Sequence, residues 1–241
     1  MSNFYDNEKA HILPSFGRRQ GRKLKLTKQD LLSEMLPRYL LTAEEGLHPI
    51  KAMHEAEGSE GQEVFPNKIW LEIGFGGGEH LYQLAKNHPT VLMIGAEPYM
   101  HGVGSLLKYM ANDDAPNIRI VPDDMRPVMK LLPDGSVERI YLLFPDPWRK
   151  ARHYKRRILS HLFLDEAARL LPKGGVLQLA TDHQDYSVWM LEHIFQRKDF
   201  AWAAQSYRDW HEPPAEWVPT RYESKAKKQG RLPVYLKLIR Q

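Results

Sequence analysis

Residues 68–80, KIWLEIGFGGGEH, decide how the rest of the chain is read. The segment opens as a short apolar run, as expected of a buried strand, and ends in glycines. EHLYQLAKNH (79–88) then carries helical spacing, closed by Pro89. Strand, glycine turn and helix in that order form the opening unit of an α/β sheet. Reading onward, TVLMIGAE, NIRIVPDD, VERIYLLFPD and VLQLATDH repeat the apolar run. Between them lie the helical stretches MHGVGSLLKYMAN, MRPVMKLLP and RRILSHLFLDEAARLLPKGG, and YSVWMLEHIFQRK follows the last strand. Five buried strands alternating with helices predict a doubly wound parallel α/β sheet with right-handed crossovers. The end differs: DFAWAAQSY and LPVYLKLIR read as a hairpin that adds two strands.

Upstream, residues 1–65 read as a basic arm followed by a loop-rich lead-in, with one short helix in QDLLSEMLPRYLL, and residues 66–241 as the folded domain. At 241 residues with 42% apolar content, the chain can bury a full core without a staple or a structural metal. Cysteine is absent, which excludes disulfides, thiolate metal sites and a thiol nucleophile. The N-terminus lacks an apolar core of signal-peptide length, and nowhere do 18 apolar residues run together. A cytoplasmic protein with no membrane partner is expected. The eleven histidines show no metal-ligand spacing, so no metal is expected. Among them, His153 lies within a basic run. Trp189, Phe195, Phe200 and Trp202 follow helix and strand spacing and read as core.

Ligands of such sheets bind beyond the carboxyl ends of the strands. An acid stands at or after each of the five: Glu72, Glu97, Asp124, Asp146 and Asp182. The glycine turn is not a dinucleotide fingerprint, because the third glycine of G-x-G-x-x-G would fall at 79, which is Glu79. Glu72 to Gly78 instead reads E-x-G-x-G-x-G, with Gly74, Gly76 and Gly78 as its glycines. An acid-flanked turn suits a ligand with hydroxyls and a cationic amine rather than a pyrophosphate. S-adenosylmethionine is such a ligand. Glu97, 23 residues beyond Gly74, is spaced to accept from ribose hydroxyls, and Asp124 to accept from an adenine amine.

Asp146 stands between Pro145 and Pro147, which fix φ on both sides and keep it out of the helical region. Trp148 offers a flat face two residues on. A held acceptor beside a stacking surface fits recognition of an extruded base. Cations then dominate: six of nine residues from Arg149 to Arg157 are basic, as are five of eleven from Gly17 to Thr27. A third cluster comprises Arg221, Lys225, Lys227, Lys228 and Arg231. Three such runs in a chain of net charge +4 point to a polyanion partner.

The motifs SFGRRQGR, LEIGFGGGEH, FPDPWRKARHYKRR, ATDHQDY and PTRYESKAKKQG resemble those of the bacterial single-subunit tRNA (guanine-N7)-methyltransferases, over nearly all of the chain from about residue 15. The resemblance implies a Rossmann-like methyltransferase sheet, mostly parallel with a C-terminal antiparallel hairpin strand. It implies S-adenosylmethionine as cofactor and a guanine of the tRNA variable loop, usually position 46, as target. Carried over by position, the cofactor contacts fall on Glu72, Gly74, Gly76, Gly78, Glu97 and Asp124, with Asp146 as both cofactor contact and catalytic acid. The tRNA or guanine contacts fall on Lys150, Asp182, Thr220, Arg221, Tyr222 and Glu223. Monomer and homodimer are both compatible with the family. A nicotinamide-dependent dehydrogenase and a non-catalytic RNA-binding protein on the same sheet are the rival readings.

Overall fold

The computed structural model describes Arg19, Gly21, residues 24–41 and residues 68–241. Arg18, Arg22, Lys23 and the insert-like stretch 42–66 lie outside the described residues. The described strands are β1 (Lys68–Ile73), β2 (Val91–Ala96), β3 (Ile118–Val121), β4 (Arg139–Leu143), β5 (Val176–Thr181), β6 (Phe200–Trp202) and β7 (Val234–Arg240). They form one sheet in the order β3-β2-β1-β4-β5-β7-β6. The first five run parallel, and β7 lies antiparallel to both β5 and β6. The winding reverses between β1 and β4, so the crevice at the carboxyl ends of these two strands is the switch point where ligands bind.

The described α-helices are α1 (Leu26–Glu34), α2 (Leu36–Tyr39), α3 (Glu79–Asn87), α4 (Met100–Asn112), α5 (Met125–Leu131), α6 (His161–Leu170), α7 (Gln184–Phe195), α8 (Arg208–His211) and α9 (Arg221–Lys228). The central strands are covered on both faces, which is why they read as unbroken apolar runs. Strand alternation divides β1 between two core clusters: Ile69, Leu71 and Ile73 enter one, Trp70 the other. Glu72 shares the Trp70 face, where α3 buries His80, Leu81, Leu84 and Ala85. Upstream of residue 66, Tyr39 is buried and donates from its hydroxyl to Asp114 at 2.7 Å, and Leu41 N–H donates to the Ile120 carbonyl at 2.9 Å. These residues therefore pack directly on the β3 edge.

Local detail departs from expectation at the start of the long helix and at Phe195. The last two strands pair antiparallel as expected, with residues 203–233 between them and β7 inserted between β5 and β6. The helix expected from Arg156 begins only at His161, where the Ser160 side chain accepts from Phe163 N–H. The preceding cations instead form a short 3-10 segment, Ala151–Arg156, consistent with the repulsion like charges exert at helical spacing. Helix α9 spans most of the third basic cluster, and the Thr220 side chain caps it by accepting from Glu223 N–H at 3.1 Å. Thr-x-x-Glu is a helix-start pattern that could have been read from the sequence. Lastly, Phe195 is not core: it lies 66% exposed at the end of α7, while Phe200 is buried.

Candidate active site

A cavity of about 350 Å³ opens at the switch point. Its lining includes Gly74 and Gly76 from the glycine turn, Glu97 and Tyr99 after β2, Asp123 and Asp124 after β3, Phe144 to Asp146 and Trp148 after β4, and Tyr222 from α9. Of the acids predicted by position, Glu97, Asp124 and Asp146 converge there, while Glu72 and Asp182 do not line it.

Glu72 sits beneath the turn, 3% exposed, and pairs through Oε2 with His80 Nδ1 at 2.8 Å. It ties the first strand to the helix that follows the glycines. The turn needs its glycines for different reasons. Gly74, Gly76 and Gly78 all have φ in the left-handed region, at 73°, 59° and 82°. A Cβ at Gly74 would meet nothing within 4 Å, one at Gly76 would lie 2.8 Å from Tyr222 Cε2, and one at Gly78 would strike Leu106 Cβ at 2.6 Å. Gly74 thus keeps the cavity floor open, Gly76 admits Tyr222, and Gly78 lets α3 pack on α4.

Glu97 is 9% exposed. One carboxylate oxygen accepts from Gly76 N–H at 2.7 Å and the other from Tyr99 N–H at 2.9 Å. Burial raises its carboxyl above the ordinary range, against the opposing pull of those two donors. Asp124 caps α5 through Arg126 N–H at 2.9 Å and forms an ion pair with the Arg126 guanidinium at 2.5 Å. Its neighbour Asp123 accepts from Asp124 N–H at 2.7 Å and pairs with Arg19 at 2.6 Å, so the basic arm reaches the cavity rim. Sequence reasoning passed over Tyr99 and Asp123. Their signal was position, immediately beyond the ends of β2 and β3.

The turn after β4 is strained. Phe144 and Trp148 adopt φ of 50° and 45°, uncommon for any side-chain-bearing residue and worth roughly 1–3 kcal/mol each. Apolar packing of the strand holds the turn in register: Leu142 and Leu143 are buried, and Phe144 N–H donates to the Ala180 carbonyl at 2.7 Å. Asp146 is accessible through the concave cavity while protein surrounds it, and this burial raises its carboxyl above the usual aspartate value. Among the described residues no group donates a hydrogen bond to it. Trp148 lies in the cavity wall with the Arg156 guanidinium 4.9 Å from its ring.

The residues predicted to contact substrate divide. Lys150 is exposed just before the 3-10 segment. Tyr222 lines the cavity, and its hydroxyl is shifted up, first by burial and then by the Glu97 charge. Arg221 lies against the glycine turn, its Nε donating to Glu79 Oε1 at 2.9 Å. Thr220 and Glu223 face inward instead. Glu223 accepts from Trp217 Nε1 at 2.6 Å and the Tyr235 hydroxyl at 2.9 Å and pairs with Lys227. Burial pushes its carboxyl up, but these donors together pull it below the usual value. Asp182 pairs with Arg231 at 2.6 Å. The third basic cluster is therefore partly neutralised, since Arg221, Lys227 and Arg231 each face an acid. Arg157 is also withdrawn from the surface, at 3% exposure, and is not available to a polyanion. Among the described residues, no group of three or more histidines and carboxylates could hold a metal ion, and no helix is long and apolar enough to cross a membrane.

The fold and the sequence have clear relatives. The crystal structures of 16S rRNA methyltransferase KamB and of TrmN from Thermus thermophilus superpose with a TM-score of 0.52 each, at 16% and 19% identity. They cover 72% and 87% of this chain and 88% and 53% of their own, a likeness of fold alone. The family model described as "Putative methyltransferase" matches residues 66–235. A tRNA (guanine-N(7)-)-methyltransferase of Rhodospirillum rubrum is 45% identical over 92% of this chain and 85% of its own length. One from a Caulobacter species is 41% identical over 95% of each. With an acid-lined cavity at the switch point, a left-handed glycine turn and matches of this extent, the chain belongs to the tRNA (guanine-N7)-methyltransferase family.

Proposed function

We propose that this protein transfers a methyl group from S-adenosylmethionine to N7 of a guanine in tRNA, with position 46 of the variable loop as the target. The observation that carries the reading is the placement in one cavity of the Glu97-braced glycine turn and the strained turn presenting Asp146. The names of the relatives support it.

The cavity's chemistry fits the cofactor. Four carboxylates line it (Glu97, Asp123, Asp124 and Asp146) against two guanidinium groups, Arg126 and Arg156. The first of these is tied to Asp124 and the second lies over Trp148. Such a surface favours a cationic ligand without phosphate. Glu97 retains lone pairs beyond those used by Gly76 and Tyr99 and would accept from ribose hydroxyls. Asp124 would accept from the adenine amine, and the open face of Gly74 would admit the amino-acid moiety. When bound, the cofactor supplies an electrophilic methyl group on a sulfonium.

Guanine N7 carries an available lone pair, so no proton has to leave before it reacts. What remains for the protein is alignment and charge. Asp146 orients the base and stabilises the positive charge that grows on the purine, as a fixed carboxylate rather than an obligatory general base. Trp148 and Tyr222 supply flat walls for the base. Thr220 and Glu223 act through α9, capping it and anchoring its first turn so that Arg221 and Tyr222 face the site. Lys150, Arg152 and Lys155 reach phosphates, Asp123 holds the arm's Arg19 at the cavity rim, and Asp182 holds Arg231 at the far side.

Incubation of unmodified tRNA with the protein and S-adenosylmethionine, followed by nucleoside mapping, tests the reading. The expected product is 7-methylguanosine in the variable loop. A bound tRNA that acquires no methyl group would identify a non-catalytic RNA-binding protein, and a methyl group on another base would refute the assigned target.

A further inference from the structure

Of the six cations between Arg149 and Arg157, the last is unlike the rest. Arg149, Lys150, Arg152 and Lys155 are exposed and Arg156 lines the cavity, whereas Arg157 is 3% exposed. Its guanidinium carbon lies 3.7 Å from the centre of the Tyr154 ring, 4.8 Å from Tyr186 and 5.0 Å from Trp189. Among the described residues no carboxylate pairs with it, and its Nη2 has no hydrogen-bond acceptor. A buried cation without a counter-charge is a poor device for stability, because desolvation opposes it and only ring faces offset part of that cost. It does make one directed bond: Nε donates to the carbonyl of Pro147 at 2.9 Å.

That carbonyl lies between Asp146 and Trp148, inside the strained turn. The rest of the segment is fastened to the same helix. Trp189 Nε1 donates to the Leu159 carbonyl at 2.9 Å, and Leu159 N–H donates to the Tyr186 hydroxyl at 3.4 Å. Helix α7 thus grips the chain after Asp146 at two points, Leu159 directly and Pro147 through Arg157.

We propose that Arg157 is a positioning residue for methyl transfer: caged by Tyr154, Tyr186 and Trp189, it holds the Pro147 carbonyl and so sets the bearing of Asp146 toward the reacting base. The inference rests on the role assigned to Asp146, and the test separates the two.

Arg157→Lys keeps the charge but loses the planar fork, and Arg157→Met keeps neither. Each is made in the full chain and again in an Asp146→Asn background. Single-turnover methyl transfer to unmodified tRNA, cofactor affinity and thermal midpoint are then measured. In the native background both variants are expected to slow transfer about 10-fold to 100-fold, the scale of a small misplacement of a reacting group. Cofactor affinity is expected to stay within about twofold and the fold to remain intact, since the glycine turn and Glu97 are not in contact with Arg157. In the Asp146→Asn background the same substitutions are expected to cost less than about threefold, because a residue acting through Asp146 has nothing left to position. A full rate in folded Arg157→Met, or losses that multiply with that of Asp146→Asn, overturns the proposal. A full rate in Asp146→Asn alone would instead remove the role of Asp146 itself.

Discussion

Glu97 and Asp146 face one cavity from opposite sides of the switch point, and burial raises the carboxyl of each. Their settings are otherwise opposed. Glu97 lies just beyond a strand in relaxed backbone, with an N–H donor on each oxygen. Asp146 stands in a turn with left-handed residues on either side and no donor among the described residues. A carboxylate held by the backbone is already oriented and suits a ligand that must be bound in a fixed pose. One left without donors keeps its full field for charge that appears only during reaction. The difference supports the proposed division of binding and chemistry between separate acids, although burial shifts both carboxyls upward.

The comparison breaks most directly at Asp146. Asp146→Asn keeps shape and removes charge, and the expected result is a loss of about 10²- to 10³-fold in single-turnover methyl transfer, the scale of removing one preorganised stabilising group. Cofactor affinity should move little. A rate within twofold of the native protein would show that charge at this position is irrelevant.

Glu97→Gln should do the converse. Its amide NH₂ must face either Gly76 N–H or Tyr99 N–H, leaving donor against donor in a buried site. Cofactor affinity measured by calorimetry should fall by about 10- to 100-fold. The rate at saturating cofactor should remain close to native, and a collapse of that rate would erase the distinction between the two acids.

Lys150 sharpens the contrast from outside the cavity, since it is exposed and contacts neither acid. Lys150→Ala should weaken tRNA binding several-fold at moderate salt and reduce the slope of log affinity against log salt by about 1. An unchanged slope would remove Lys150 from the phosphate contacts.

The smallest effect is on stability. Asp146 has a folded pKa above its unfolded value, so the folded state binds its proton more tightly. The stabilising contribution of the protonated form is therefore lost as pH rises from the ordinary aspartate value through the raised one. Asp146→Asn should accordingly raise the thermal midpoint relative to native protein at about pH 7 and leave it unchanged at about pH 3, below the ordinary aspartate value. An equal gain at both would trace the effect to packing rather than charge.

Much of the site can be read along the chain because the five parallel strands end on the same edge of the sheet. Once KIWLEIGFGGGEH is read as strand, turn and helix, Glu97, Asp124 and Asp146 follow by position, and all three line the cavity. Glu72 shows where that logic stops: strand alternation points it at α3, where His80 takes it, and a one-residue change of face is invisible to motif spacing. Arg157 shows it again. In the sequence it is one cation among six, and only the packing of α7 separates it from the surface arginines.

Local chemistry along the chain was enough for the alternation of strands and helices, the glycine turn and the acid between prolines, because periodicity, glycine and proline act within a few residues. The insertion of β7 between β5 and β6, the inward turn of Glu223 and the burial of Arg157 came only with the folded molecule. Each depends on elements that meet only when the chain packs: Arg157 with α7, Glu223 with Trp217 and Tyr235, and β7 with β5. Which of several like residues is buried is settled by the surfaces that meet when those segments pack, and no short stretch of sequence contains both surfaces.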